Sequence, residues 1–309
     1  MSISSRDILL LQSLKGFGNA AIRTVIAETT QYHQISDDAL YEVLVQICES
    51  KKIRAQLPTR DEVSFAMDIA DRIIKHSESL GINIISYIDE NFPYKLLNTV
   101  SEKGKPDVPV LIHCLGNLDI LEKSSLTIIG TRNPNEAGIK AADFFASEFA
   151  SYDVNIISGL AVGCDSIAHE AALSVNGTTT AVLAGGLDNI YPKENRGLAD
   201  RIINNGGLLI SENPVFTQTN KYNLVSRDRI QAALGNATLV IQTSINGGTM
   251  HAANATLAAG KPLFVVDYKD NSADVVQGNL ALKSSGAREI SSSSWKENTS
   301  FYLDMLAGS

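Results

Sequence analysis

Apolar residues change spacing along the chain, and those changes divide it. Ile8, Leu9, Leu11 and Leu14 make a helical stripe that Lys15-Gly16-Phe17-Gly18-Asn19 interrupts before Ile22, Val25 and Ile26 resume it. Further helices are expected around Asp38–Ser50 and Arg60–Leu80, with Gly81 as the cap that ends the latter. The helix, G-x-G turn and helix read either as a helix-hairpin-helix, whose turn amides can face a phosphate, or as an ordinary αα-corner. Residues 1–80 are therefore expected to form a small helical domain.

From Gly81 to about Leu121 the pattern is irregular, with strand candidates at Asn83–Tyr87 and Val110–Cys114 among Pro93, Pro106 and Pro109. A new alternation follows. Strands are expected at Thr127–Gly130, Asn155–Ser158, Thr179–Leu183, Leu208–Ser211, Ala237–Gln242 and Leu263–Asp267. Between them lie helical patterns at Asn135–Tyr152, Ser166–Asn176, Asn195–Asn205, Leu224–Leu234 and Thr249–Ala259. Short apolar strands alternating with helices predict an α/β fold of Rossmann-like type, a doubly wound and mostly parallel sheet over residues 81–290. Residues 291–309 read as a C-terminal tail.

In such a sheet ligands bind beyond the carboxyl ends of the strands, and the distinctive residues fall there. Gly130-Thr131-Arg132 follows the first strand of the series and Ser158-Gly159-Leu160-Ala161-Val162-Gly163 the second; Gly185-Gly186 follows the third, and Asn246-Gly247-Gly248-Thr249 precedes a helix. Glycine lets a backbone approach an anion closely, and a helix N-terminus favours negative charge. Four such turns on one edge, with Arg132 in the first, read as a phosphate-binding surface. A dinucleotide site is disfavoured, since G-x-G-x-x-G is missing and Ser158-Gly159 stands where a ribose-binding acid is expected. No G-x-x-x-x-G-K-[ST] loop or G-x-S-x-G elbow occurs, so the chain reads as a binding protein without cofactor or metal and not as an enzyme. His169 and His251 are read as packing residues.

Composition adds two constraints. With 26 Lys and Arg against 34 Asp and Glu, the formal charge is −8, so any nucleic-acid site must be a local patch. Three isolated cysteines, Cys48, Cys114 and Cys164, and no apolar run of membrane-spanning length suit a cytoplasmic protein.

Several separated motifs, spread over Asn91 to Ile290, resemble the DNA-processing protein A family, also called DprA or Smf. They are Asn91-Phe92-Pro93-Tyr94-Lys95-Leu96-Leu97, Ile129-Gly130-Thr131-Arg132, Ile157 through Asp165, and Ala168-His169 with Ala172-Leu173. Leu187 through Asn195, Ser211-Glu212-Asn213-Pro214, Gly278-Asn279 and Gly286-Ala287 complete them. The resemblance implies sequence-independent binding of single-stranded DNA, a homodimer, and loading of a RecA-type recombinase onto the strand, as in natural transformation. It assigns DNA contact to Arg132 and Lys193; with Asn195, Arg227, Arg229, Thr249 and the glycine turns these form the expected DNA surface. Four positions depart from the family pattern: Val162 stands for an arginine, Asp228 lies between Arg227 and Arg229, Gln242 stands for a glutamate, and Asn246-Gly247-Gly248 replaces S-G-S. The chain is expected to lack the winged-helix domain that some members carry at the C-terminus. The departures leave two alternatives: a regulatory or phage-defence partner protein of the same fold, or a sensor or hydrolase of a nucleotide-derived small molecule like the LOG-type phosphoribohydrolases.

Overall fold

A computed structural model describes residues 3–30, 35–270 and 272–307. The outermost residues of the expected helical domain and tail, 1–2 and 308–309, lie outside the described residues, as do 31–34 and 271.

The chain divides into two compact units, residues 3–92 with 107–113, and residues 93–106 with 114–307. In the first unit, helix α1 (Ser5–Ser13) starts at a capping box in which the Asp7 amide donates to Ser4 Oγ and the Ser4 amide to Asp7 Oδ2. The Gly16 turn, at φ +89°, leads into α2 (Asn19–Thr29), and Ile8, Leu11, Ile22 and Val25 are fully buried. Helix α3 (Asp37–Glu49) is capped by Ser36. Helix α4 (Arg60–Ser79) starts at the Thr59–Glu62 capping box and ends where Gly81 turns left-handed at φ +69°. Arg6 ties α1 to α4 through two bonds to Asp71, at 2.6 and 3.1 Å. Strand β1 (Asn83–Ser86) belongs to this unit, and β2 (Leu111–Gly116) begins in it and ends in the second.

The second unit is the doubly wound sheet. Strands β3 (Ser125–Ile129), β4 (Asn155–Ser158), β5 (Thr179–Leu183), β6 (Leu208–Ser211), β7 (Ala237–Val240), β8 (Leu263–Val266) and β9 (Arg288–Ile290) run in the order β6-β5-β4-β3-β7-β8-β9. Every neighbouring pair among them is parallel. The strands from β3 to β8 are buried along their whole length, as expected when helices cover both faces. The helices are α5 (Glu136–Ser151), α6 (Cys164–Ser174), α7 (Arg196–Asn204), α8 (Lys221–Leu234), α9 (Thr249–Ala258), α10 (Gln277–Ser284) and α11 (Trp295–Ala307).

Residues 295–307, expected as a tail, are a core helix instead. Trp295 is 2% exposed and stacks on Tyr302 with ring centroids 5.8 Å apart and planes 8° apart; Phe149 meets the indole edge-on at 4.7 Å. The indole N–H donates to Glu148 Oε2 at 2.6 Å. Helix α10 and strand β9, which extend the sheet beyond β8, are not foreshadowed by the apolar pattern.

Candidate nucleic-acid interface

Strand order reverses direction of winding between β3 and β7, so the crevice beyond their carboxyl ends is the topological switch point. A crevice of about 380 Å³ opens there, lined by the turn after β3, the turn before α9 and one face of α8. The two turns are stitched together where the Thr131 amide donates to the Gln242 carbonyl at 2.8 Å. Arg132 projects from the first turn, exposed and without an ion pair among the described residues. Across the crevice, α9 begins at Gly248 with no side-chain cap and no acid in its first turn, leaving its N-terminal amides for a ligand. A Cβ built at Gly248 meets nothing within 4 Å, so this turn is open.

The turn after β4 differs from the expectation. Its amides are already taken: Asp165 Oδ2 accepts from Gly159 N–H at 3.1 Å and Ala161 N–H at 3.4 Å. The chain's own carboxylate fills the nest that was read as a phosphate cradle. Ser158 is fully buried and its hydroxyl donates to the Ile128 carbonyl at 2.6 Å. Gly159 is glycine because a Cβ would collide with the Arg227 guanidinium, and Gly163, at φ +85°, because a Cβ would lie 2.5 Å from the Arg132 carbonyl. Gly163 thus shapes the Arg132 turn without facing a ligand itself. The turn after β5 is covered as well: a Cβ on Gly185 would sit 2.7 Å from Thr219 Oγ1, and the Gly186 amide donates to the Thr217 carbonyl. Gly130 packs on Cys164, and Gly247 on Thr243.

Two expected contacts must be corrected. Arg227 is 8% exposed; its Nη1 donates to the Gly159 and Val182 carbonyls at 2.7 and 2.5 Å, and its Nε to Asp228 Oδ1 at 3.2 Å. Arg229 is 6% exposed and forms a fork with Glu212 at 2.7 and 2.8 Å. Both guanidiniums are spent on the fold, because α8 lies against the sheet with these side chains inward. Lys193 and Thr249 remain accessible, at the start of the 3-10 turn before α7 and the first residue of α9. Asn195 is half-buried and holds the left-handed Leu160, its Nδ2 donating to the Leu160 carbonyl at 2.7 Å.

Beneath the crevice, Asp165, Arg227 and Asp228 form a buried charge cluster. Burial raises the Asp228 carboxyl to about 6, with Arg227 opposing and Asp165 adding to the rise; burial also raises Asp165 against the pull of Arg227. Gln231, oriented to satisfy both ends of its amide, donates to Asp228 Oδ1 at 3.1 Å and accepts from Gly159 N–H at 2.8 Å. His169 is fully buried, and its Nδ1 lies 2.6 Å from Thr179 Oγ1. That hydroxyl donates to the Ile156 carbonyl, so Nδ1 carries the proton. Burial, aided by Arg227, holds this imidazole neutral, at about 3. His251, at the crevice wall, is instead half-exposed and lies 2.8 Å from Glu102. The Cys164 thiol is pushed up to about 12 by burial and is no nucleophile. Gln242 accepts from the Asn135 amide and donates to its side chain, fixing the start of α5.

Asp165, Gln231 and Tyr191 were not picked out from the sequence. Only Asp165 left a signal, as the acid that ends the Ser158–Gly163 turn.

A doubly wound sheet whose switch point carries an uncapped helix start and an exposed arginine is an anion-binding architecture. Residues 83–298 match the model of the family described as DNA recombination-mediator protein A. The chain belongs to that family. It is 32% identical over 196 residues to the DNA processing protein DprA of Bacillus subtilis, covering 63% of this chain and 64% of that protein. Against the Smf protein of Escherichia coli it is 33% identical over 184 residues, covering 60% of this chain and 48% of the relative. The chain thus spans about half to just under two thirds of these relatives. The structure of DprA from Streptococcus pneumoniae superposes with a TM-score of 0.77 at 26% identity, over 94% of this chain and 95% of that one. That of Helicobacter pylori DNA processing protein A, described for its single-stranded DNA binding mode, gives 0.58 at 28% identity over 68% and 90%. Among the described residues no helix is long and apolar enough to cross a membrane.

Proposed function

We propose that the protein binds single-stranded DNA of any sequence at the β3–β7 crevice and acts as a recombination mediator, a cytoplasmic homodimer delivering the strand to a RecA-type recombinase. The observation that carries this is Arg132: an exposed guanidinium with no internal ion pair, held beside the uncapped start of α9. Phosphates are common to every sequence, so a site built from a guanidinium and backbone amides reads none. Membership of a family named for recombination mediation, and the single-stranded DNA binding described for the Helicobacter pylori relative, support the ligand. The cleft is a binding surface and not a catalytic one: its carboxylates are engaged with amides and Arg227, and its buried thiol is raised far above neutrality.

The test is fluorescence anisotropy with labelled oligonucleotides of several sequences over a range of salt. Arg132→Ala should weaken all of them alike and lower the magnitude of the log–log salt slope by about 0.7, the value of one released counterion on a single strand. Strong base preference in the wild type, or an unchanged slope in the variant, would refute the site.

A further inference from the structure

Beside Arg132 lies a second recess, of about 260 Å³, whose character differs from the phosphate crevice. Its walls are Val162, Tyr191, Pro192 and Leu224, with Arg132 on one side and Glu194 on the other. Val162 and Tyr191 are 39% and 46% exposed, large apolar groups left facing solvent where the chain could have placed polar ones. Glu194 makes the recess unsuitable for a second phosphate, while the ring and the aliphatic walls suit a flat, apolar-faced group. Arg132 lines both cavities, so a phosphate held in the first places its neighbouring base at the second.

We propose that this recess is a nucleobase subsite in which one base of the bound strand stacks on Tyr191 against Val162 and Leu224. The inference rests on the single-stranded DNA reading of the Arg132 crevice. It also accounts for Val162. A cation there would add a phosphate contact; the apolar side chain completes the wall of a base pocket instead. The chain thus exchanges part of its electrostatic affinity for stacking, which suits a protein of net charge −8. Every base has a π-face, so the subsite keeps binding independent of sequence.

The experiment compares an oligo-dT with a strand of equal length carrying abasic sites throughout. Tyr191→Ala should weaken the dT strand by roughly 5- to 140-fold, the range of one base–aromatic stack, and leave both its salt slope and the abasic strand unchanged. Tyr191→Phe, which keeps the ring, should restore dT affinity. Val162→Arg should tighten the abasic strand and steepen its salt slope by about 0.7. Equal loss on both strands in Tyr191→Ala, or no loss on either, overturns the subsite. If Arg132→Ala also leaves binding intact, the crevice itself is refuted; if Arg132→Ala weakens binding while Tyr191→Ala does not, only the base subsite fails.

Discussion

Asp228→Asn tests the charge cluster under the crevice most directly. The Asp228 carboxyl sits at about 6 in the folded protein against an ordinary 3.8, because burial disfavours its charge by more than Arg227 restores. Between those two values the folded state holds a proton that the unfolded state has released. The stability contribution is therefore fully present below about 3.8 and is lost as pH rises through about 6. At about 1.36 kcal/mol per pH unit, the loss amounts to about 3 kcal/mol. Asparagine has nearly the shape of the protonated acid and cannot ionise, so the variant lacks this slope. Urea unfolding of both proteins at intervals from pH 4 to 7.5 should show the variant gaining on the wild type by about 3 kcal/mol across that range; groups common to both cancel in the difference. Asp228 also lines the crevice with Arg132, so wild-type binding of single strands should strengthen as pH falls below 6, more than in the variant. Parallel stability curves, offset by a constant, would refute the reasoning and mark Asp228 as an uncomplicated ion-pair partner of Arg227.

Two other substitutions separate what holds the fold from what touches the ligand. Arg229→Ala strands the Glu212 carboxylate in a mostly buried setting and should cost about 3–5 kcal/mol of stability in chemical denaturation, with the salt slope of DNA binding unchanged in whatever protein remains folded. Trp295→Ala removes an indole enclosed by Phe149 and Tyr302 and should cost about 3–5 kcal/mol in the same assay; a loss below about 1 kcal/mol would show that α11 is dispensable to the core.

The architecture was legible because each parallel strand is a short unbroken apolar run. Leu126, Ile128, Ile156 and Ile210 are buried on a sheet covered by helices, and no alternation was needed to recognise them. Helix α11 was hidden by its approach: Ser291 through Ser294 read as loop, and Trp295, Tyr302 and Leu306 are spaced too thinly among charged residues to announce a stripe. The site was legible in its location but not in its parts. Arg227 and Arg229 have the residue type of a phosphate contact, and what diverts them comes from far along the chain. Arg227 is held by carbonyls of Gly159 and Val182, and Arg229 by Glu212. Gly159 likewise admits two meanings, close approach of an anion or close packing of a side chain, and only the position of the Arg227 guanidinium decides for the second.

That buried arginine also explains how an acidic chain can present a cationic site. The carboxylates nearest the crevice, Asp165 and Asp228, are turned toward Arg227 and two backbone amides, so most of their field is neutralised below the surface. Their rise toward neutrality, by direction for Asp165 and to about 6 for Asp228, reduces it further. Arg132 and Lys193 are left as solvent-facing charges with no internal partner among the described residues. A phosphate about 4 Å from one such cation gains roughly 1 kcal/mol in bulk water and about 4 kcal/mol near a protein surface. The surplus negative charge acts over longer distances and is screened beyond about 8 Å at physiological ionic strength. Contact attraction therefore survives where overall repulsion does not, and the formal charge of −8 bears on how fast a strand arrives more than on how tightly the crevice holds it.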